Sequence, residues 1–265
     1  MKNTTSIFKK ATRSWSAWAC VALTVGLSAC GGGGSSSSTA VTPPAVVDPA
    51  LTLSTLQGRW TTSGSDWVAR WVPPAPGQST ASIWGLSSDG QYLTVLNASV
   101  SGTSAVTAKG KRYSLTPQAG QVSAPVAIDW TGVANVKSAP KTLQFSGNPA
   151  LSLQDPLKDG ALQLNAVGQW HSNLGLTSLT FQVDALGVIT GKSLTGCVYV
   201  GVLNARTDVT VYEAKLSETC AAGAVEQFTG IAVISSSATA NINQLTLAMV
   251  SADNMAGKVL YFQRQ

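Results

Sequence analysis

The sequence predicts an all-β protein whose folded part consists of two tandem, diverged antiparallel β-meander modules. Three observations predict it: segments in which apolar and polar residues alternate, turn residues at short intervals between them, and landmarks that recur once along the chain. Alternation with a period of two is typical of strands that bury one face. We expect each module to be a small barrel or sandwich, because closure leaves few strand edges unpaired.

Alternation is clearest in the second half of the chain. It spans Leu179–Val183, Thr207–Tyr212 and Gln244–Met249, and we expect a strand at each. Turn residues separate such segments, as at Ser88–Gly90 and Leu186–Gly187, where they favour tight hairpins. Downstream of residue 30, no long stretch has a convincing helical stripe. The pattern therefore favours about seven or eight consecutive strands in each module.

An internal repeat divides the folded part. The recurring landmarks are Gly58–Trp60 with Gly168–Trp170, and Trp130–Ala134 with Phe228–Ala232. Their order and spacing are kept, and this places one module at residues 52–158 and the other at residues 159–265.

The N-terminal residues predict export. The basic residues Lys2, Lys9, Lys10 and Arg13 precede a short apolar run, Trp15–Leu27, and no acidic residue comes before Cys30. This order is typical of a secretory signal. The run is too short and too interrupted to span a bilayer as a permanent helix.

Small residues stand directly before a cysteine at the end of this run, in Leu27-Ser28-Ala29-Cys30. The motif resembles the lipobox of bacterial lipoproteins. The resemblance implies that residues 1–29 are a signal peptide cleaved before Cys30, and that Cys30 is diacylglycerylated, acylated and anchored in a membrane. Gly31 replaces the aspartate typical of inner-membrane members, which implies the outer membrane, facing the periplasm or the outside. An ordinary cleaved signal with an incidental cysteine is the alternative.

Residues 30–51 predict a tether, because a glycine run and a serine run lead into a segment rich in Thr, Pro, Ala and Val. This composition cannot bury enough apolar surface to order itself. As a flexible coil it would reach about 25 Å. We expect it to hold the folded modules away from the membrane.

The charge balance argues against nucleic acid as a partner. Four of the 17 basic residues and none of the 12 acidic residues precede Cys30, which leaves 13 and 12 in the mature chain. The excess that would favour nucleic acid belongs to the export signal. The local basic cluster Lys109, Lys111 and Arg112 is expected to be a solvated turn.

Cys197 and Cys220 remain once Cys20 leaves with the signal and Cys30 is lipidated. Two such cysteines in an exported chain most often pair, so we predict a disulfide that stabilises the fold by roughly 3 to 4 kcal/mol. A metal site is the alternative, but it needs further ligands, and His171 is the only histidine in the sequence.

An early Gly-x-Trp followed by a meander is similar to the calycin superfamily, which includes lipocalins. In those barrels the tryptophan closes one end, and an arginine late in the last strand packs across it. The resemblance assigns these roles to Trp170 and Arg264 in the second module. The first module has Gly58–Trp60, but its matching final segment, Leu151–Asp155, lacks the arginine. An unrelated small barrel or sandwich with a buried tryptophan is the alternative.

A candidate binding surface follows from the length of the first module. Trp84 and Phe181 each precede a glycine by six residues, and matching them leaves extra residues in the first module that include Trp67, Arg70 and Trp71. In an extended strand the two tryptophans would share one face and Arg70 the other. Exposed tryptophans beside an arginine are typical of recognition surfaces. The alternative is a hairpin whose tryptophans cover the open end of a barrel.

No catalytic constellation is apparent. His171 is expected to point outward, the carboxylates are scattered, and no phosphate loop, EF-hand or nucleophile elbow occurs. We therefore expect no cofactor and a non-catalytic, lipid-anchored envelope protein that binds an envelope protein, a glycan or a small apolar ligand. A structural accessory of an envelope assembly and a hydrolase of envelope polymers are the alternatives.

Overall fold

A computed structural model describes residues 50–64, 66–115, 123–172, 178–221, 223–236 and 243–265. The predicted signal peptide, Cys30 and the predicted tether up to residue 49 lie outside these described residues. Among the described residues, no helix is long and apolar enough to cross a membrane.

The protein is all-β, as the sequence predicts. Its strands form two closed antiparallel barrels of eight consecutive strands each, an architecture consistent with calycin-like modules. The strands of barrel 1 are β1 Gly58–Thr62, β2 Trp67–Val72, β3 Ala81–Ser87, β4 Tyr92–Ser101, β5 Ala105–Ser114, β6 Val126–Asn135, β7 Thr142–Phe145 and β8 Leu151–Asp155. Those of barrel 2 are β9 Gly168–Ser172, β10 Leu179–Val183, β11 Val188–Ser193, β12 Val198–Ala205, β13 Tyr212–Thr219, β14 Val225–Ser236, β15 Asn243–Ser251 and β16 Gly257–Arg264.

Each barrel is closed at one end by a buried tryptophan. Trp60 and Trp170 are 1% and 0% exposed and lie in the cores of their barrels. A short 3-10 helix precedes each, at Ser54–Leu56 and Gln163–Asn165. The indole Nε1 of Trp60 donates to the Leu56 carbonyl at 2.8 Å, and that of Trp170 donates to the Ala166 carbonyl at 2.7 Å. The two closed ends are therefore built alike.

Strand order corrects the matching of Trp84 with Phe181. Trp84 lies on the third strand of barrel 1, whereas Phe181 lies on the second strand of barrel 2. Phe181 pairs with Trp170 across β9 and β10, and the residue that pairs with Trp60 is Ala69. The first module thus has no extra hairpin, because β2 is the counterpart of β10.

The two barrels pack against each other through apolar side chains on their outer faces. One cluster joins Val72 of barrel 1 to Val209, Val211 and Ile231 of barrel 2. A second joins Leu93 and Tyr113 to Val250. Since burial fraction rises with the size of the packed unit, this contact adds apolar burial that neither barrel has alone.

The strand predicted at Thr207–Tyr212 is wrong over most of its length. The structure has a loop at 206–211, and β13 begins at Tyr212. Val209 and Val211 are both 0% exposed, because they pack between the barrels. The alternation of apolar and polar residues in this segment therefore arises because Val209 and Val211 are buried between the barrels, not because the segment pairs within a sheet.

Candidate functional site

Described residues form a cavity at the end of barrel 1 opposite Trp60, and we call this end the mouth of the barrel. Strand ends from the β1–β2, β3–β4, β5–β6 and β7–β8 connections surround it, and it encloses a cavity of about 230 Å³. We call this space the mouth cavity. The side chains that matter for its chemistry are Trp67, Tyr92, Thr94, Arg112, Trp130 and Phe145.

Aromatic rings form the apolar wall of the mouth cavity. Trp67 meets Trp130 edge to face with ring centroids 5.9 Å apart, and Trp130 lies 5.3 Å from Phe145. Such ring pairs add about 0.5 to 1.5 kcal/mol beyond their burial. Gly85 makes room for this arrangement, because a Cβ atom there would lie 1.9 Å from Cζ2 of Trp67. The Trp67 backbone N–H donates to Oγ1 of Thr62 at 3.2 Å, which fixes the start of β2.

Arg112 supplies the positive charge of the mouth cavity. Its guanidinium carbon lies 6.0 Å from the centre of the Tyr92 ring. Within the described ranges, no carboxylate forms an ion pair with Arg112. Asp66 lies on the exposed rim of the same cavity. Among the described residues, the site therefore combines aromatic surface with a guanidinium that forms no ion pair, and Asp66 lies at its rim.

The sequence reasoning missed Arg112. We expected Lys109, Lys111 and Arg112 to be a solvated turn, but all three lie within β5. Strand alternation separates them: Arg112 faces the mouth cavity, Lys109 forms an exposed ion pair with Asp129 at 2.8 Å, and Lys111 donates to the Asn254 carbonyl. The period of two along this strand is the signal that could have found it.

Trp67, Arg70 and Trp71 do not form one exposed surface, and the grouping is corrected here. Trp71 is 1% exposed and belongs to the core of barrel 1. Trp67 packs at the mouth of that core, and Arg70 lies in a crevice between the barrels. The physical reason is that β2 is an integral barrel strand, so alternate residues must turn inward.

The mouth of barrel 2 is filled by side chains. Tyr199 donates a hydrogen bond to Glu218, and Glu218 forms an ion pair with Lys258. The Lys258 ammonium also lies 4.2 Å from the centre of the Phe228 ring. Burial, followed by the hydrogen bond to Glu218, raises the pKa of Tyr199.

The predicted disulfide between Cys197 and Cys220 is confirmed. Cys197 precedes β12 and Cys220 follows β13, and these strands pair through Val198 and Thr219. Glu218 is close enough to complete a group of three metal-ligand atoms with the two cysteines, but the sulfur atoms bond to each other. The bridge therefore fastens the rim of barrel 2.

Arg264 lies across the closed end of barrel 2. Its guanidinium carbon is 4.8 Å from the centre of the Trp170 ring, and Nη2 donates to the carbonyls of Val167, at 3.0 Å, and Asn165. In barrel 1 the residue that pairs with the closing tryptophan Trp60 is Leu153, whereas in barrel 2 the residue that pairs with Trp170 is Arg264. Leucine therefore stands where barrel 2 has its arginine.

Barrel 1 caps its own 3-10 helix with a different cation. Lys141, which precedes β7, donates from Nζ to the Thr55 carbonyl at 2.8 Å. Thr55 and Asn165 both stand five residues before their tryptophans. A lysine from another part of barrel 1 thus binds the carbonyl that Arg264 binds in barrel 2.

His171 lies on the outside of barrel 2, where strand alternation from the buried Trp170 was expected to send it. Its Nδ1 is 3.0 Å from Oγ1 of Thr180 and its Nε2 is 3.3 Å from Oγ of Ser178. Within the described part of the chain, no carboxylate bonds to this ring.

No protein-family profile, no curated protein and no solved structure matches this chain.

Proposed function

We propose that the protein is a non-catalytic, lipid-anchored binding protein of the cell envelope whose ligand occupies the mouth cavity of barrel 1. The ligand class is a small, flat, largely apolar anion. The observation that carries this proposal is the Arg112 guanidinium, which faces an aromatic cavity and, within the described part of the chain, forms no ion pair with a carboxylate.

The charge of Arg112 selects the sign of the ligand. Removing a charged group from water is costly unless an opposite charge or hydrogen bonds replace the lost hydration. A guanidinium presents its donors in a fork that fits carboxylate, sulfonate or phosphate oxygens. An anion in the mouth cavity would therefore gain hydrogen bonds that Arg112 does not make to carboxylates of the described residues.

The cavity walls select the shape of the ligand. Trp67, Trp130 and Phe145 present ring faces and edges, which favour a planar body. The cavity volume of about 230 Å³ lies below the ~300 Å³ at which typical ligand pockets begin. The ligand is thus one or two fused rings in size, with its anionic group toward Arg112.

The proposal also includes a lipid anchor at Cys30 and a relationship of the two barrels to the calycin superfamily. Lipidation at Cys30 would concentrate the barrels at a membrane, with residues 30–51 as a tether. The closing tryptophans and the packing of Arg264 on Trp170 support a distant calycin origin for both modules. Metabolic labelling with an alkyne fatty acid tests the anchor. We expect Cys30→Ala to lose the label, and equal labelling of wild type and variant would refute the anchor.

Naphthalene-2-sulfonate, a fluorescent anion whose body is two fused rings, is a suitable probe for the mouth cavity. We expect saturable binding to the folded protein, weakened at least tenfold by Arg112→Gln, because one charge-assisted bidentate contact is worth roughly 1.5 to 3 kcal/mol. Thr94→Tyr, which places a large side chain in the cavity wall, is expected to abolish binding. Both affinities are measured by fluorescence titration.

Lys109→Gln is the matched control, since it removes a positive charge from the same strand on the opposite face. It should leave the affinity within twofold of wild type. Equal affinities of wild type, Arg112→Gln and Thr94→Tyr would refute binding in the mouth cavity.

A further inference from the structure

A crevice between the two barrels encloses about 260 Å³. Barrel 1 contributes Val68, Arg70 and Trp84 to its lining, and barrel 2 contributes Thr246, Val259 and Tyr261. These side chains lie on the outer faces of the sheets. The crevice is thus separate from the mouth cavity, which lies inside barrel 1.

Arg70 is the single charged side chain among the described residues that line the crevice. It forms no ion pair with a carboxylate of the described chain. Across the sheet its nearest neighbour on β1 is another cation, Arg59. Asp155 pairs with the far side of Arg59, two strands from Arg70, which is roughly 10 Å at the usual strand spacing.

Burial makes this isolated cation costly. Desolvation and, to a lesser extent, the neighbouring charge of Arg59 lower the pKa of Arg70, and Asp155 acts in the opposite direction; the net result is a pKa of about 10. The lining from barrel 2 offers hydroxyl groups at Ser235, Thr246 and Tyr261, but no carboxylate. Neither barrel therefore supplies an anion in contact with the Arg70 guanidinium.

We propose that this crevice is a second binding site, for an amphiphile with one anionic headgroup and a short acyl chain. The headgroup binds the Arg70 guanidinium, and the chain lies against the apolar side chains between the barrels. A guanidinium binds carboxylate and phosphate oxygens in the same bidentate manner, so fatty carboxylates and single-chain phosphate lipids share the recognised chemistry.

The shape of the crevice favours an acyl chain over a planar ring. Its walls are mainly the aliphatic side chains of Val68, Leu86, Leu93, Ile231 and Val259. Trp84 is the one tryptophan in this lining, whereas the mouth cavity has a cluster of aromatic rings. A ligand here would also contact both barrels and so stabilise their packing.

Isothermal titration of the full chain with decanoate and with decyl phosphate, both below their micelle concentrations, tests the proposal. We expect one decanoate or decyl phosphate per chain in this crevice, and a rise in melting temperature on binding. Arg70→Gln should weaken binding at least tenfold. Decyltrimethylammonium, which carries the opposite charge, should not bind.

Arg59→Gln is the matched control, since Arg59 is the adjacent cation on the same outer face but does not line the crevice; it should change affinity less than threefold. Arg112→Gln should leave decanoate binding in the crevice unchanged. If Arg70→Gln fails to fold, Ala248→Leu decides the matter, because it fills the crevice from barrel 2 and leaves Arg70 in place.

If Arg70→Gln or Ala248→Leu binds decanoate with wild-type affinity, the proposal is wrong. It is also wrong if Arg112→Gln loses decanoate binding. Binding of decyltrimethylammonium would overturn it too. Tighter binding of decyl phosphate than of decanoate would support the site and identify its ligands as phosphate lipids, and the reverse order would identify fatty carboxylates.

Discussion

Barrels 1 and 2 share their closed end and differ at their mouth. Starting from the closing tryptophan, one row of paired inward residues crosses five strands in each barrel. In barrel 1 the row is Trp60, Ala69, Gly85, Thr94 and Arg112. In barrel 2 it is Trp170, Phe181, Gly191, Tyr199 and Glu218.

The difference between these rows explains why, among the described residues, the candidate ligand site lies at the mouth of barrel 1. Ala69 and Thr94 leave space where Phe181 and Tyr199 fill it. Arg112 faces that space and forms no ion pair with a carboxylate that the structure describes, whereas Glu218 forms an ion pair with Lys258. Two barrels with the same architecture can thus differ at a few inward positions, so that side chains fill the mouth of one barrel and leave a cavity in the other.

Trp60→Ala and Trp170→Ala would test the equivalence of the closed ends. Each should lower the free energy of unfolding by about 3 to 5 kcal/mol, as expected for truncating a large, fully buried aromatic side chain. The melting temperature should fall by about 6 to 20 °C. Denaturant and thermal unfolding followed by circular dichroism measure both quantities.

Trp71→Ala should cost a similar amount, because Trp71 is also buried in the core of barrel 1. Trp67→Ala should cost less, since Trp67 is partly exposed at the mouth. A cost below about 1 kcal/mol for Trp60→Ala alone would show that the closed ends are not equivalent.

Much of the fold could be predicted from the sequence because inward residues of a barrel strand repeat with a period of two. Gly-x-Trp falls on the first strand of each barrel and the Thr-Gly landmark on the sixth strand, so both recur at equivalent positions. The disulfide followed from counting cysteines. These features depend on neighbours close in sequence or on composition.

The contact between the barrels and both candidate sites could not be predicted in this way. Val209 and Val211 have the pattern of a strand, yet they are buried by the other barrel. Arg112 and Arg70 differ from the other cations only in what lies opposite them across strands and barrels. Such pairings depend on register, which alternation alone does not determine.

Arg264→Leu and Lys141→Met would compare the two ways of capping a 3-10 helix. Arg264→Leu should cost about 2 to 3 kcal/mol, because two carbonyls lose a charged donor and the Trp170 ring loses its stacked guanidinium. Lys141→Met should cost about 1 kcal/mol, since one carbonyl is affected.

Lys192→Met, an exposed lysine on β11, is the control and should change the free energy of unfolding by less than about 0.5 kcal/mol. An equal or greater cost for Lys141→Met than for Arg264→Leu would mean that Lys141 carries more of the closed end of barrel 1 than its single contact suggests.

The smallest expected effect concerns the loop at 206–211, which replaces the tight β4–β5 hairpin of barrel 1. Arg206 donates Nε to Oδ1 of Asp208 at 2.8 Å and Nη2 to Oδ2 at 2.6 Å. The same Nη2 contacts the carbonyls of Pro73 and Pro74 in barrel 1, at 3.2 and 3.3 Å. The carboxylate thus orients the arginine that links the barrels.

The hydrogen bond from Arg206 lowers the pKa of Asp208 in the folded protein. A depressed carboxyl pKa stabilises the fold above the unfolded value of about 3.9, and this contribution is lost as pH falls through the folded pKa. The Asp208 side chain is 49% exposed, so solvent screening should keep the effect of Asp208→Asn under about 1 kcal/mol at pH 7.

Denaturant unfolding of wild type and Asp208→Asn from pH 7 to pH 3 measures this effect. Asp129→Asn is the control, because Asp129 belongs to an exposed ion pair with Lys109. The difference from wild type should begin to shrink as pH falls below the unfolded value of about 3.9, because protonation then removes the charged carboxylate. A difference that grows as pH falls would mean that Asp208 does not stabilise the barrel contact through its charge.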